Sequence, residues 1–235
     1  MAGVMPRNPL QLMRGMRPQL ERMGVLSKVS YALNDLDQKL LAFISHRNGV
    51  FIEAGANDGN DQSNTKYLEL YLGWRGLLVE PIPELAQKCR KNRPNSIVEE
   101  CALVSRYDRR DAVDMTYCNL MSLVDGARGS VEADSAHIQK GRQFLRKNES
   151  VRRVTVRTDT LNALILRHGL DHIDLLSLDV EGFEAEALAG LDFDNVAPKW
   201  ILVEANDEGA VEQTLGDRYE LAAQLSHHDK LYKLL

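Results

Sequence analysis

Three observations predict an α/β domain with a mostly parallel central sheet. Short apolar runs that read as buried strands alternate with segments of helical period along most of the 235 residues. Four of those runs end in an acidic residue: Glu53, Glu80, Asp179 and Glu204. The final pair of apolar runs, "RYELAAQL" and "KLYKLL", follow each other with no helical segment between them, which predicts a closing antiparallel hairpin.

The elements follow in order. Residues 1–34 read as an appendage ahead of a domain over 35–235. "DLDQKLLAFISHR", 35–47, places Leu36, Leu40, Leu41 and Ile44 at helical spacing and feeds a first strand at 50–54. "QSNTKYLELYL", 62–72, predicts a helix stopped by Gly73. "RGLLVEP" is a buried strand, "PELAQKCRKN" a helix, and "SIVEECALVS" a short strand with a second extended piece. Residues 106–157 read as an insertion. Its ends, "DAVDMTYC" and "VRRVTVRT", have strand character, and the polar stretch between them is part loop and part helix. Beyond it come the helix "TLNALILRHG", the strand "HIDLLSLDV", the helix "FEAEALAGL", the strand "KWILVEAN" and a helix near 208–215.

Composition narrows the function. The net charge of −5 argues against a nucleic-acid binder, which needs a basic surface. Cys89, Cys101 and Cys118 are odd in number and lack metal-ligand spacing, so a reducing, cytoplasmic setting is expected. No apolar run approaches the about 18 residues that span a membrane. The first 30 residues carry Arg7, Arg14, Arg17, Arg22 and Lys28 against Glu21. Such an arm could touch an anionic membrane surface or a partner, or simply pack on the domain.

Ligands of parallel sheets bind outside the carboxyl ends of the strands. "FIEAGANDGN" puts Glu53, Gly55, Asn57 and Gly59 at such an end, where glycine permits a tight turn and close approach to a ligand. The spacing lacks the glycines that cradle a pyrophosphate. A cofactor with amino, carboxylate and ribose groups and no phosphate fits better. Glu80, ending the second strand, stands where an acidic residue takes ribose hydroxyls.

The loop E-x-G-A-N-x-G at 53–59, the S-N-T helix start, "GWRGLLVEP" and "LDVEGFE" together resemble the FkbM-type methyltransferases, over roughly residues 48–105 and 158–206. The resemblance implies a Rossmann-like methyltransferase fold, S-adenosylmethionine as donor, and O-methylation of a hydroxyl, often on a sugar, so that a small-molecule or glycan acceptor is expected. It implies that Glu53, Gly55, Asn57 and Gly59 wrap the methionine part of the donor. Glu80 would hold the ribose, Cys101 and Ala102 the adenine, and Asp179 and Glu181 would face the transferred methyl group.

A sugar hydroxyl is a poor nucleophile while protonated, so a base or a metal must help. Asp179 leads as the base, with a helix cap as its plain structural alternative. His137, in the insertion, could also reach the site as a base. Asp179 and Glu204 could share Mg2+, with Glu181 or Asn206 as a further oxygen ligand; equally they could bind hydroxyls or the donor's amino group. The insertion carries an excess of arginine and lysine, Arg128 among them, suited to an acidic acceptor or to a solvated face. Two other classes stay open: a nicotinamide-dependent oxidoreductase, and a cofactor-binding module without turnover.

Overall fold

The computed structural model describes residues 30–235 together with Leu20. The basic arm expected over residues 1–34 therefore lies almost wholly outside the described residues. What is described of it docks on the domain: Ser30 Oγ and the Tyr31 N–H donate to the two oxygens of Asp37, both at 2.7 Å.

The central sheet has seven strands: β1 (Val50–Ala54), β2 (Arg75–Val79), β3 (Ile97–Glu99), β8 (Leu175–Leu178), β9 (Trp200–Glu204), β10 (Tyr219–Gln224) and β11 (Asp229–Leu234). Their order is β10-β11-β9-β8-β1-β2-β3. β1 pairs in parallel with both β2 and β8, and β8 with β9, whereas β11 runs antiparallel to both of its neighbours. The mostly parallel sheet and the closing hairpin agree with the sequence. β1 is flanked by strands that depart in opposite directions, so a crevice opens at the carboxyl ends of β1 and β8.

Strands and helices follow from local chemistry. β1 and β8 are buried along their whole length, as apolar runs between helical layers require. Helix α1 (Leu36–Leu40) is shorter than the pattern over 35–47 predicts. Beyond it the chain closes turns onto the Leu40 carbonyl and still buries Ile44, so the helical period persists without the helix. Helix α2 (Lys66–Leu72) begins four residues later than expected, for a reason that lies in the site, and ends at Gly73 with φ +72°. Helix α3 (Pro83–Asn92) starts on a proline, whose missing N–H costs nothing in a first turn.

The insertion builds a second sheet. β4 (Ala102–Leu103), β5 (Ala112–Tyr117), β6 (Leu123–Val124) and β7 (Arg152–Asp159) take the order β4-β7-β5-β6. Helix α4 (Val131–Gly141) lies between β6 and β7, capped by Ser130 Oγ, which accepts the Ala133 N–H at 3.1 Å. Ile82, Ala102, Val113, Met115 and Val156 form a core cluster between this sheet and the domain. Helices α5 (Leu161–Arg167), α6 (Glu184–Leu188) and α7 (Glu208–Leu215) return the chain around the main sheet. No helix among the described residues is long and apolar enough to cross a membrane.

Candidate active site

A cavity of about 380 Å³ opens at the carboxyl ends of β1, β2, β8 and β9, with the insertion closing its far side. Gly55, Asn57, Glu80, Cys101, Ala102, Asp179, Glu181, Glu204 and His137 all line it. Sequence reasoning thus assembled one site from segments more than a hundred residues apart.

The glycine loop works differently from the expectation. Gly55 has φ +82°, and a Cβ there would sit 1.7 Å from the Asp179 carbonyl oxygen. Glycine is needed because the ends of β1 and β8 pass this closely. Gly59 is a correction: it does not reach the cavity. Its φ is +74°, and a Cβ would meet Cys89 Sγ at 2.8 Å and Arg93 Cγ at 2.9 Å, so it lets α3 pack under the loop. Asn57 also takes a left-handed conformation, φ 48°, which turns its N–H onto Glu80 Oε2 at 2.8 Å.

Glu53 lies beside Gly55 at the cavity. Its carboxylate borders the cavity, yet its hydrogen bonds are spent on the protein. Oε1 accepts the Asn64 N–H at 2.8 Å; Oε2 accepts Thr65 Oγ1 at 2.6 Å and Ser63 Oγ at 2.9 Å, and lies 3.5 Å from Arg93 Nη1. This is why α2 starts late: residues 63–65 wrap the carboxylate before the helix begins. Arg93, 1% exposed, also donates from Nε to Glu69 at 2.6 Å. Glu53 therefore organises the loop wall while lining the cavity.

Glu80 sits at the end of β2, 5% exposed, accepting from the Asn57 and Ile82 N–H groups. Burial pushes its carboxyl up to about 8. Cys101 and Ala102 form an apolar wall beside it.

Across the cavity stand the other carboxylates. Asp179 follows β8 and Glu204 ends β9, on adjacent parallel strands. Burial and the neighbouring Glu204 hold Asp179 well above the usual carboxylate range. Glu181 has φ 59°, and burial and Glu204 raise it to about 8. Glu184 pins the loop between them, accepting the Gly182 N–H at 2.9 Å and the Val180 N–H at 3.2 Å. The alternative reading of Asp179 as a helix cap is not met: the helix that follows has no side-chain cap.

Glu181 Oε2 is held from the insertion. Arg128 Nη2 donates to it at 3.4 Å and His137 Nε2 lies 3.2 Å away. His137 is 7% exposed, and burial and Arg128 push it down to about 4, so its ring is neutral at pH 7. Nε2 has no aligned partner among the described residues. Glu181 Oε1 makes no hydrogen bond among the described residues.

The family model for the Methyltransferase FkbM domain matches residues 53–233. The chain belongs to the FkbM methyltransferase family. It is an S-adenosylmethionine-dependent methyltransferase, which sets aside the oxidoreductase and the module without turnover. The FkbM match also spans the insertion, which sequence reasoning left outside the resemblance. The 2-O-methyltransferase NoeI of Sinorhizobium fredii is 26% identical over 199 residues, covering 80% of this chain and 79% of its own. Among solved structures, a TehB-like methyltransferase from Corynebacterium glutamicum is 11% identical with a TM-score of 0.42, covering 97% of this chain and 100% of its own. A caffeoyl-CoA O-methyltransferase described as putative, from Staphylococcus aureus, is 6% identical with a TM-score of 0.46, covering 97% and 92%.

The cavity of this FkbM enzyme fits such a donor: a buried acceptor, Glu80, ends β2, and an apolar wall lies beside it. The residues do not fit a resident Mg2+. The further ligands expected, Glu181 and Asn206, both accept from Arg128. Among the described residues no group of three His, Cys, Asp or Glu side chains is placed to hold a metal ion. Arg128 is the residue that sequence reasoning missed as part of the site. Its one signal was an arginine just ahead of α4, in a charged stretch that read equally well as a solvated face.

Proposed function

We propose that this enzyme transfers the methyl group of S-adenosylmethionine to a hydroxyl of a sugar, a glycan or a glycosylated small molecule, with Glu181 as the base. The observation that carries the reading is the state of Glu181: a carboxyl raised to about 8, held through Oε2 and with Oε1 unpartnered at the cavity. A base poised near the working pH is what a hydroxyl acceptor requires.

Glu80 takes the donor's ribose hydroxyls, Cys101 and Ala102 lie against the adenine, and Gly55 and Asn57 shape the wall by the methionine part. The donor, when bound, supplies an electrophilic methyl group on sulfonium sulfur. Glu181 Oε1 accepts the acceptor's proton as the oxygen attacks. Asp179, its carboxyl raised by burial and Glu204, orients the hydroxyl by hydrogen bonding, and Arg128 steadies Glu181 from behind. Orientation of the two reactants contributes about 7 kcal/mol or more in favourable cases. The name of the Sinorhizobium relative supports an oxygen acceptor. Net charge supports a small or glycan acceptor over nucleic acid, and three free, buried cysteines support a reducing cytoplasm.

The test is transfer from methyl-labelled donor to a panel of methyl glycosides, with the labelled atom located by NMR. Label on oxygen supports the reading. Label confined to nitrogen or sulfur of other acceptors overturns it.

A further inference from the structure

Three carboxyl groups line the cavity at the ends of β8 and β9: Asp179, Glu181 and Glu204. Among the described residues, no three such side chains are placed to hold a metal ion there. The guanidinium of Arg128 is there instead. Nη1 donates to Asn206 Oδ1 at 2.9 Å, just past β9, and Nη2 to Glu181 Oε2 at 3.4 Å, just past β8. One planar fork thus spans the ends of two adjacent strands.

Its placement is built into the chain. Asp134 of α4 accepts the Gly126 N–H at 2.6 Å and the Arg128 N–H at 3.1 Å, which fixes the turn that carries the arginine. Gly182, at φ +105°, leaves room for that turn: a Cβ there would sit 3.2 Å from the Ala127 carbonyl oxygen and 3.4 Å from Arg128 Cγ. Nε of Arg128 is sealed from water without a partner, a destabilising arrangement that surface solvation of an ordinary arginine would avoid. Lys140, also at the cavity, is exposed and makes no ion pair among the described residues, so it does not share this task.

We propose that Arg128 is the built-in cation of this site: it fills the place of a divalent metal and positions Glu181, so that the enzyme takes no metal there. The proposal rests on reading this cavity as the methyl-transfer site. A guanidinium suits the role because it is always charged and binds two oxygens at fixed geometry. Arg128 acts through Glu181 and is a positioning residue.

The experiment is a Mn2+ titration followed by electron paramagnetic resonance, on wild type, Arg128→Ala and the double variant Arg128→Ala/Glu181→Gln, each saturated with S-adenosylhomocysteine. Wild type should leave Mn2+ free. Arg128→Ala, relieved of its cation, should bind Mn2+ at least tenfold more tightly, and the double variant should lose that gain. In the labelled-methyl assay, wild type should resist chelation, and millimolar guanidinium should restore Arg128→Ala in part. Tight Mn2+ binding by wild type that the Glu181→Gln change removes would overturn the proposal. So would an Arg128→Ala enzyme that gains no Mn2+ affinity. If Arg128→Ala no longer binds S-adenosylhomocysteine, Arg128→Lys decides. It keeps a charge but loses the fork, so it should leave Mn2+ free while turning over at least tenfold more slowly, and an unchanged rate overturns the proposal. Failure of the O-methylation reading looks different: wild type puts no label on oxygen, while the Mn2+ result stands by itself.

Discussion

Asp179 and Glu204 stand at the ends of adjacent parallel strands, and burial together with the Glu204 charge holds the Asp179 carboxyl well above its usual range. Carboxyl groups held this way give the site a distinct response to pH. Glu80 and Glu181 are each raised to about 8. Between their ordinary range and that value the folded protein binds more protons than the unfolded chain, and stability falls as pH rises. His137, lowered to about 4, acts oppositely but only below its ordinary value of 6.5. Melting temperature of the ligand-free protein should therefore drop from pH 6.5 to pH 8.5, and Glu80→Gln should shrink the drop. A flat or rising profile over that window contradicts the assignment.

The donor half has its own measure. Glu80→Ala removes the acceptor at the end of β2 and should weaken S-adenosylhomocysteine binding by about 1–3 kcal/mol, read by calorimetry. Unaltered affinity would leave Glu80 as a brace for the Asn57 and Ile82 N–H groups and nothing more.

The buried network around Arg93 should behave as scaffold. Arg93→Ala strands Glu53 and Glu69 without their cation and should cost about 3–5 kcal/mol of stability in denaturant unfolding. Glu53→Gln should lower stability while leaving donor affinity, once folded, within about twofold, well under the 1.4 kcal/mol that a tenfold change represents. A donor affinity that collapses in a stably folded Glu53→Gln would return Glu53 to the role that the family resemblance implies.

The sequence made the sheet legible because its strands are buried on both faces and read as unbroken apolar runs, "VFIEA" and "LLSL" among them. The acidic strand ends located the cavity for the same reason: a charge closing an apolar run marks where the strand leaves the core. What could not be read was direction. Glu53 and Glu80 both lie at strand ends, yet Glu53 is tied up by residues 63–65 and Arg93, while Glu80 is held by backbone N–H groups at the cavity. Gly55 and Gly59 were read as room for a ligand, but what they make room for is the Asp179 carbonyl and helix α3. Arg128 was hidden because its partners, Glu181 and Asn206, are far away in sequence, and an arginine in a polar stretch carries no periodic signal.

The account centres on Glu181 as the group that takes the acceptor's proton, and Glu181→Gln tests that most directly. The variant keeps the shape of the side chain and loses its basicity. Turnover of labelled donor with a methyl glycoside that wild type accepts should fall by about 10²-fold or more, with S-adenosylhomocysteine affinity unchanged. In wild type the same rate should rise with pH, reach half its maximum near 8 and level off above it, as a carboxyl raised to about 8 loses its proton. A Glu181→Gln enzyme that turns over at the wild-type rate would contradict the account.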